Sequence, residues 1–533
     1  ASVQQGGAEL SVEVAVWRGT RGVVGQRGER GGKSGGGVKK HRHTLPAPSG
    51  RAIKWSWYAA GITAAVQAVF ISRALLRPHR EPASRVAWVA IIGAVPALGS
   101  VAYLFLGETN LTPQRVLRIR DAMKRLPVPG KTADALVDAE QQFGLPPRLA
   151  PLFRVGQSIS GYPPMGGNQA TLMADADAAI DAMIADIDAA QDHVHVCFYI
   201  WLADHNGLKF AEALMRAAHR GVVCRVMADD LGSRRLIHSG HWADMEQAGV
   251  QLVRALPLGS LLMRPFRGRF DMRNHRKIVV IDNRVTYCGS QNCADAAFRV
   301  KAKYAPWVDL VARFEGPVVL QNQHLFATDW MAHTNEDLTS LLASAEVHEG
   351  KGFVAQVIGT SAAVRYAAMP ETFVSIMYSA ARELTITTPY YVPDEPIQAA
   401  LCAAARRGVK TTLTVPRRND SWIVAGASRS YYRELLEAGV KIYEYPHGLL
   451  HTKAMTVDGR MTLIGSANLD RRSFDLNFEN NIQLVDDAFT AVIRDRQQSY
   501  IDESEQISLQ DVVKWRKSRV IWNNTLAMIG PVL

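Results

Sequence analysis

One set of polar residues occurs twice in this chain. Residues 275–292 read HRKIVVIDNRVTYCGSQN, and residues 451–468 read HTKAMTVDGRMTLIGSAN. Each stretch has a histidine, a lysine two positions later, an aspartate seven positions after the histidine, and then a Gly-Ser-x-Asn sequence. The polar residues agree between the two copies, whereas most of the apolar residues between them differ. A repeat that keeps its polar residues and changes its apolar ones indicates chemistry rather than packing alone.

The repeated triplets form a candidate catalytic set. Its members are His275, Lys277, Asp282, His451, Lys453 and Asp458. An imidazole is neutral or protonated near pH 7, so it can act as a nucleophile or as a general acid or base. A lysine two positions away supplies positive charge for a phosphate oxygen. We expect the two aspartates to fix the loop and the lysine rather than to transfer protons.

The Gly-Ser-x-Asn sequences add candidate phosphate-binding donors. These are Ser290, Asn292, Ser466 and Asn468. Their hydroxyl and amide groups can donate to an anion. Two copies placed face to face would surround one phosphorus atom with two imidazoles and two ammonium groups. One histidine would attack while the other protonates the leaving oxygen. These side chains neutralise the developing charge, so we expect neither a metal nor a cofactor.

A nucleophilic imidazole also needs an acceptor for its second nitrogen, usually a carboxylate. Glu479, in LNFENN 28 residues after His451, is the predicted partner within the second half. Asp309, in PWVDL 34 residues after His275, is the predicted partner within the first half. The alternative for both is an ordinary surface carboxylate.

Alternating helices and strands are predicted to carry these motifs. In the first half, residues 175–191 and 210–222 have helical spacing, whereas 193–201 and 223–230 are rich in strand formers. The second half repeats this order at 374–383, 384–392, 397–409 and 410–415. The pattern predicts an α/β fold of two homologous lobes, each a mixed sheet flanked by helices. KIVVID and KAMTVD read as strands that leave each His/Lys pair, so both side chains of a pair should share one face.

Two uncharged apolar runs precede the lobes. Residues 55–72 and 86–107 contain 18 and 22 residues without a charge, and about 20 apolar residues cross a bilayer core as a helix. They predict a hairpin of two transmembrane helices rather than buried core helices. Basic residues before the first run and after the second favour the cytoplasm for both ends, although three arginines lie between the runs. The net charge of +11 indicates an anionic partner, either phospholipid or nucleic acid.

The predicted organisation has five segments. They are a disordered basic tail (1–52), two transmembrane helices (53–107), a linker (108–164), a first lobe (165–345) and a second lobe (346–533). Five scattered cysteines without a CxxC pair are expected to be buried, reduced thiols.

The two triplets resemble the double-HKD signature of the phospholipase D superfamily. Further stretches narrow the resemblance to bacterial cardiolipin synthases with two N-terminal spans: YLFLGETNL (103–111), RNHRK (273–277), TPYYVP (388–393), GVKIYEY (439–445) and ANLDRRSFDLNFENN (467–481). The resemblance covers the chain from about residue 55 to the C-terminus. It implies two phospholipase D-like lobes at the bacterial inner membrane, with the lobes on the cytoplasmic side. The implied partners are phosphatidylglycerol, other anionic phospholipids and the bilayer, and not nucleic acid.

The resemblance also implies a reaction. Two phosphatidylglycerol molecules would give cardiolipin and glycerol, with His275 as the nucleophile that forms a phosphatidyl-histidine. His451 would protonate the departing glycerol and then deprotonate the hydroxyl of the second lipid. The first motif departs from the family pattern at GSQNCADAAF, as do residues 358–362 (IGTSA), which leaves the acceptor open between phosphatidylglycerol and phosphatidylethanolamine.

Four other functions use parts of the same pattern. A hydrolytic phospholipase D would use the site with water as acceptor, and a phosphatidylserine synthase would use serine. HKD nucleases share the site, but they have no need of a membrane anchor. A catalytically inactive, membrane-tethered lipid-binding protein is the non-enzyme alternative, and the completeness of both triplets argues against it.

Overall fold

The computed structural model describes residues 50–77, 82–107, 112–130, 139–258, 271–344, 351–361 and 365–529, and only the backbone of 50–56. The chain divides into two units, residues 1–59 and 60–533. The predicted basic tail lies outside the described residues, except that the first helix begins at Gly50.

The apolar N-terminal part forms three helices, α1 (Gly50–Leu76), α2 (Pro82–Ala94) and α3 (Pro96–Leu106). Trp57–Leu76 within α1 is long and apolar enough to cross a membrane. The second apolar run is interrupted between α2 and α3, next to Pro96, and the predicted transmembrane hairpin stays a prediction. Proline has no amide hydrogen, and Pro96 therefore cannot donate to the carbonyl of Ile92. Gln67 Nε2 donates to that carbonyl instead, at 3.0 Å.

The predicted linker contains three further helices, α4 (Pro113–Arg125), α5 (Ala139–Phe143) and α6 (Ala150–Ser160). Ile119 and Ala122 form the buried side of α4, and basic residues occupy its other side. On α6, Gly156 lies against the side chain of Gln356, so this helix packs directly on a strand of the second half.

The first half of the repeat begins at Met165. Its strands are β1 (Met165–Leu172), β2 (His193–Phe198), β3 (Val223–Asp229), β4 (Gln251–Ala255), β5 (Ile278–Ile281), β6 (Val285–Gly289), β7 (Trp307–Val308) and β8 (Val311–Glu315). Its helices are α7 (Ala176–Ala189), α8 (His205–His219), α9 (Arg234–Ile237), α10 (Gly240–Gln247), α11 (Val318–His333) and α12 (Thr339–Ala343). A short 3-10 helix, Arg299–Tyr304, precedes β7.

The second half begins at Phe353. Its strands are β9 (Phe353–Thr360), β10 (Glu383–Thr387), β11 (Tyr391–Val392), β12 (Lys410–Pro416), β13 (Lys441–Tyr445), β14 (Leu449–Leu450), β15 (Ala454–Val457), β16 (Met461–Gly465), β17 (Leu469–Asp470), β18 (Glu479–Val485) and β19 (Glu505–Ile507). Its helices are α13 (Ala368–Ser379), α14 (Glu395–Arg406), α15 (Trp422–Ser430), α16 (Tyr432–Ala438), α17 (Arg471–Asp475), α18 (Asp487–Asp502), α19 (Leu509–Val513) and α20 (Lys517–Ile529).

Within the described residues, fifteen strands join into one sheet that shows the duplication. Their order is β19-β13-β12-β10-β15-β16-β18-β9-β1-β8-β6-β5-β2-β3-β4. Outward from the antiparallel β9–β1 pair, six equivalent strands follow in the same order on each side, and β19 is an additional edge strand of the second half. The strands β2–β3–β4 and β10–β12–β13 pair in parallel, whereas the strands between β10 and β2 pair antiparallel, as does β19 with β13. The predicted α/β fold, with a mixed sheet in each repeat, is confirmed.

The aspartates of the triplets begin the three-residue loops 282–284 and 458–460, each of which joins two antiparallel strands. Asp282 and Asn283 have φ of 49° and 53°, and Asp458 and Gly459 have φ of 53° and 70°. A pair of positive φ values matches the type I′ turn that suits the twist of a hairpin. The Asp282 carboxylate accepts from three backbone amides at 191–193, and the Asp458 carboxylate accepts from three at 381–383. Both aspartates therefore tie their turns to the start of the neighbouring strand.

Candidate active site

His275 of the first half is held by the second half. Its Nδ1 lies 2.9 Å from Glu479 Oε2 and 3.1 Å from Oε1. Its backbone amide donates to the carbonyl of Phe478 at 3.0 Å, next to a bridge between Asn274 and Phe478. Both His275 and Glu479 are buried. The carboxylate fixes the ring through Nδ1, so Nε2 is the nitrogen available for chemistry.

His451 of the second half is held by the first half in the same way. Its Nδ1 lies 2.6 Å from Asp309 Oδ1, and its amide donates to the carbonyl of Val308 at 2.8 Å. The predicted pairing of each carboxylate with the histidine of its own half is therefore wrong. The short β14–β7 pair brings Asp309 to His451, and the Asn274–Phe478 bridge brings Glu479 to His275.

The two serines support these carboxylates. Ser290 Oγ donates to Asp309 at 2.6 Å and accepts from the Leu310 amide at 3.0 Å. Ser466 Oγ donates to Glu479 and accepts from the Asn480 amide. Each serine has one hydroxyl hydrogen, and it donates that hydrogen to the carboxylate in a hydrogen bond. Ser290 and Ser466 thus hold the carboxylates that orient the histidines, a contact that was not predicted, and their phosphate-binding role stays a prediction.

The two asparagines keep amide groups for a ligand. Asn292 Oδ1 accepts from the Ile200 amide at 3.1 Å, and its Nδ2 makes no hydrogen bond to the described residues. Asn468 Oδ1 is buried without a hydrogen-bond partner in the part of the chain that the structure describes. An amide oxygen is an acceptor, so at both positions Nδ2 is the group that could donate to an incoming anion.

The lysines lie beside their histidines rather than on a shared strand face. Lys277 Nζ donates to the carbonyl of His275, and Lys453 Nζ to the carbonyl of His451, each at 2.8 Å. The strands β5 and β15 begin directly after Lys277 and Lys453, as predicted for strands that leave each His/Lys pair. Lys453 Nζ also lies 3.1 Å from His451 Nε2. Asp282 and Asp458, at the far ends of β5 and β15, bind backbone amides and thereby fix the loop, but among the described residues they make no hydrogen bond to the lysines, which they were also expected to fix.

The middle residues of the triplets, which sequence reasoning did not select, also cross between halves. Arg276 Nε donates to the carbonyl of Glu479 at 3.2 Å, and Nη1 of this buried arginine pairs with Asp329. Thr452 Oγ1 donates to the carbonyl of Val308 at 3.1 Å. Each middle residue thus holds the strand that carries the opposite carboxylate. One middle residue is basic and the other is a neutral alcohol, so a comparison of the two triplets for shared residues could not identify them.

Aromatic rings cover both histidines. The ring of Tyr199 lies 5.0 Å from that of His275, edge to face, and Trp307 lies 4.5 Å from His451. Both follow or form strand ends, Tyr199 after β2 and Trp307 in β7. They contribute to the low-dielectric surroundings that shift the titration of the ionisable groups.

Burial lowers the pKa of both histidines to about 4, and the lysines of both halves add to this shift. Burial alone would raise the pKa of Glu479, but His275 and Lys277 outweigh it and hold that pKa at about 2. His451 and Lys453 likewise keep the pKa of Asp309 below its ordinary value against burial. At pH 7 the carboxylates are ionised and both imidazoles are neutral, with Nδ1–H donated to the carboxylate.

Burial also lowers the pKa of Lys277 to about 8 and of Lys453 to about 7, the latter with repulsion from Lys277. We expect kcat/KM for a phosphodiester to fall below about pH 4, as His275 is protonated, and above pH 7–8, as the lysines lose charge. Lys453→Arg should move the alkaline fall to higher pH, because a guanidinium stays charged. A pH profile of both forms checks this, and an alkaline fall that begins only above about pH 10, the range of ordinary lysines, would contradict it.

Among the described residues, no group of three or more His, Cys, Asp and Glu side chains is arranged to hold a metal ion. All five cysteines are buried and free. What the site offers is two imidazole–carboxylate pairs, two ammonium groups and two amides. Such a set can attack, protonate and neutralise a phosphodiester.

Comparisons with known proteins agree with this reading. The family model described as "Cardiolipin synthase, PLD-like domain" matches residues 183–311 and 373–500, and "Phospholipase_D-nuclease N-terminal" matches 62–108. Cardiolipin synthase A of Edwardsiella ictaluri is 36% identical over 461 residues, which cover 85% of this chain and 92% of the relative. Cardiolipin synthase A of Yersinia pseudotuberculosis is 37% identical over 455 residues, 84% of this chain and 92% of the relative.

A solved structure supports the fold. Phosphatidylserine synthase of Haemophilus influenzae superimposes with a TM-score of 0.55 over 72% of this chain and 100% of its own, at 13% identity. Since identity is that low, the match speaks for the architecture alone. The relatives at 36–37% identity carry the family assignment. The chain belongs to the cardiolipin synthase family of phospholipase D-like phospholipid transferases.

Proposed function

We propose that the chain moves a phosphatidyl group from one phosphatidylglycerol to the hydroxyl of a second, giving cardiolipin and glycerol through a phosphohistidine. The observation that carries this proposal is the crossed pairing of His275 with Glu479 and of His451 with Asp309. Each imidazole needs both halves to be complete, so two prepared histidines belong to one site. The substrates are phospholipids, as family membership implies.

In the first step, His275 Nε2 attacks phosphorus and the bond to the headgroup glycerol oxygen breaks. His451 gives its proton to that oxygen, and glycerol leaves. His451 must be protonated for this step, although burial favours its neutral form. The anionic diester raises the affinity of nearby groups for protons, so bound substrate favours the protonated form of His451.

In the second step, His451 takes a proton from the hydroxyl of the second phosphatidylglycerol. The resulting oxygen attacks phosphorus, the phosphorus–nitrogen bond breaks, and His275 is restored. Lys277 and Lys453 neutralise the non-bridging oxygens in both steps, and Asn292 and Asn468 donate to the same oxygens. Glu479 and Asp309 keep each proton on Nδ1, so Nε2 reacts.

The N-terminal helices support a membrane location for this chemistry. We assign α1 and the broken helix α2–α3 to a hairpin that crosses the inner membrane twice, with the lobes of 165–345 and 346–533 on the cytoplasmic side. Gln67 supports the hairpin because it binds the carbonyl left free at Ile92, and Phe70 and Trp88 both pack against Tyr103. Anionic phospholipids and the bilayer are the partners, and nucleic acid is not.

A product assay tests the proposal. Purified full-length protein in mixed micelles with labelled phosphatidylglycerol should release labelled cardiolipin and glycerol in equal amounts. Phosphatidic acid as the single lipid product would make the protein a hydrolase. A product formed only after serine is added would make it a phosphatidylserine synthase. Lipid binding without turnover would make it a binding protein.

A further inference from the structure

Helices α15 and α20 expose a group of large apolar side chains. Trp422 and Trp522 are 61% and 53% exposed, and their rings stack 5.8 Å apart at 16°. Ile521 and Met528, one and six positions from Trp522, are exposed still further. Leu526, one turn after Trp522 on α20, packs into the space left by the missing side chain of Gly426 on α15. The helix is thus fixed to the second half with an apolar surface outward; we call Trp422, Ile521, Trp522 and Met528 the docking face.

Basic residues border the docking face. The 3-10 segment 299–304 of the first half carries Arg299, Lys301 and Lys303, and the loop before α15 carries Arg417 and Arg418. Lys301 Nζ pairs with Asp420 Oδ2 at 2.5 Å, which places the segment beside that loop, two residues before Trp422. Arg417 is paired with Glu505, so the five basic residues outnumber these two carboxylates and leave the border net positive, which fits an anionic surface.

A series of ring contacts joins the 3-10 segment to His451. Phe298, at the start of the 3-10 segment, stacks on Trp307 at 3.9 Å, and Trp307 lies on His451. Asp420, which pairs with Lys301 of this segment, also accepts a hydrogen bond from Tyr390 at 2.6 Å. The basic border is therefore the rim of the active site.

We propose that the docking face and its basic border insert into the headgroup region of the bilayer and seat the active-site rim on an anionic leaflet. This inference rests on the proposed function. A phospholipid keeps its acyl chains in the leaflet, so its phosphodiester reaches the buried histidines only if the rim lies at headgroup depth. Tryptophan rings favour that depth, and lysine and arginine bind anionic headgroups there.

A second copy of the chain is the other conceivable occupant. A two-fold dimer across this surface would place the basic borders of both copies close to one another, and like charges oppose such contact. The net positive charge of the border instead complements the negative headgroup of phosphatidylglycerol. The lipid surface is therefore the occupant that charge and position both favour.

The first test measures turnover with two forms of the same substrate. Trp422→Ser with Trp522→Ser in the full-length protein should lower the rate on proteoliposomes of phosphatidylcholine and phosphatidylglycerol by roughly tenfold or more. The rate on monomeric dihexanoyl-phosphatidylglycerol should stay as in the wild type, because that substrate does not need a docked rim. Val492→Ser, an exposed apolar residue on α18, is the matched control and should change neither rate.

The second test does not depend on turnover. A fluorescent NBD label on Ile521→Cys should brighten in phosphatidylglycerol vesicles and be quenched by doxyl lipids, whereas a label on Val492→Cys should do neither; the native cysteines are buried and do not compete. No quenching at position 521, or equal rate losses on both substrates, would overturn the proposal. Loss of self-association in the serine variant without quenching would assign the face to a second copy and overturn it too. If the wild type turned over neither substrate, the proposed function would fail while the label still reports on docking.

Discussion

His275→Ala is expected to abolish cardiolipin formation, with a loss of at least about 10⁴-fold, because the covalent step loses its nucleophile. The variant should also yield no lipid–protein adduct in acid-quenched reactions. His451→Ala should be slow as well, but for another reason. Without the acid, the adduct forms slowly, and without the base it persists instead of passing to the second lipid.

Acid-quench trapping with labelled phosphatidylglycerol, followed by peptide mapping, measures both outcomes. An adduct on His451 in the His275→Ala protein would reverse the roles of the two histidines. His241→Ala is a suitable control, because His241 is a half-exposed histidine on α10. Thermal melts of all three variants show whether the fold is kept.

Glu479→Gln is expected to lower turnover by about 10²–10⁴-fold, because a neutral amide no longer fixes the reactive tautomer of the imidazole. The crossed geometry determines which step suffers. Glu479→Gln should slow adduct formation, as a His275 defect does. Asp309→Asn should instead slow adduct formation less and let the adduct persist, as a His451 defect does. Pairing within each half would exchange these two results.

Single-turnover kinetics separate the rise and the decay of the adduct in each variant. Asp487→Asn removes an exposed carboxylate on α18 and should leave both rates unchanged. If Glu479→Gln altered only the decay, the contact between His275 and Glu479 would not be the functional one. If neither variant changed any rate, both carboxylates would lose their role in the reaction.

The sequence by itself determined the parts of this site that depend on local pattern. Period and β-branched runs predicted the order of helices and strands, which the structure confirms for α7–β2–α8–β3 and for α13–β10–α14–β12. The repeated polar residues identify His275, Lys277, His451 and Lys453. The hairpin turns could also have been found locally, since Asp-Asn and Asp-Gly pairs favour positive φ.

Tertiary structure alone decided which residues meet. Strand pairing between halves, at Asn274–Phe478 and at β14–β7, carries Glu479 to His275 and Asp309 to His451. Such contacts join positions more than 140 residues apart, and distance along the chain holds no information on them. The hydrogen bonds of Ser290 and Ser466 to these carboxylates could not be predicted either, because the contacts exist only once the strands are paired. Local periodicity determines which segments form helices and strands. The assembled sheet determines which side chains meet in the active site.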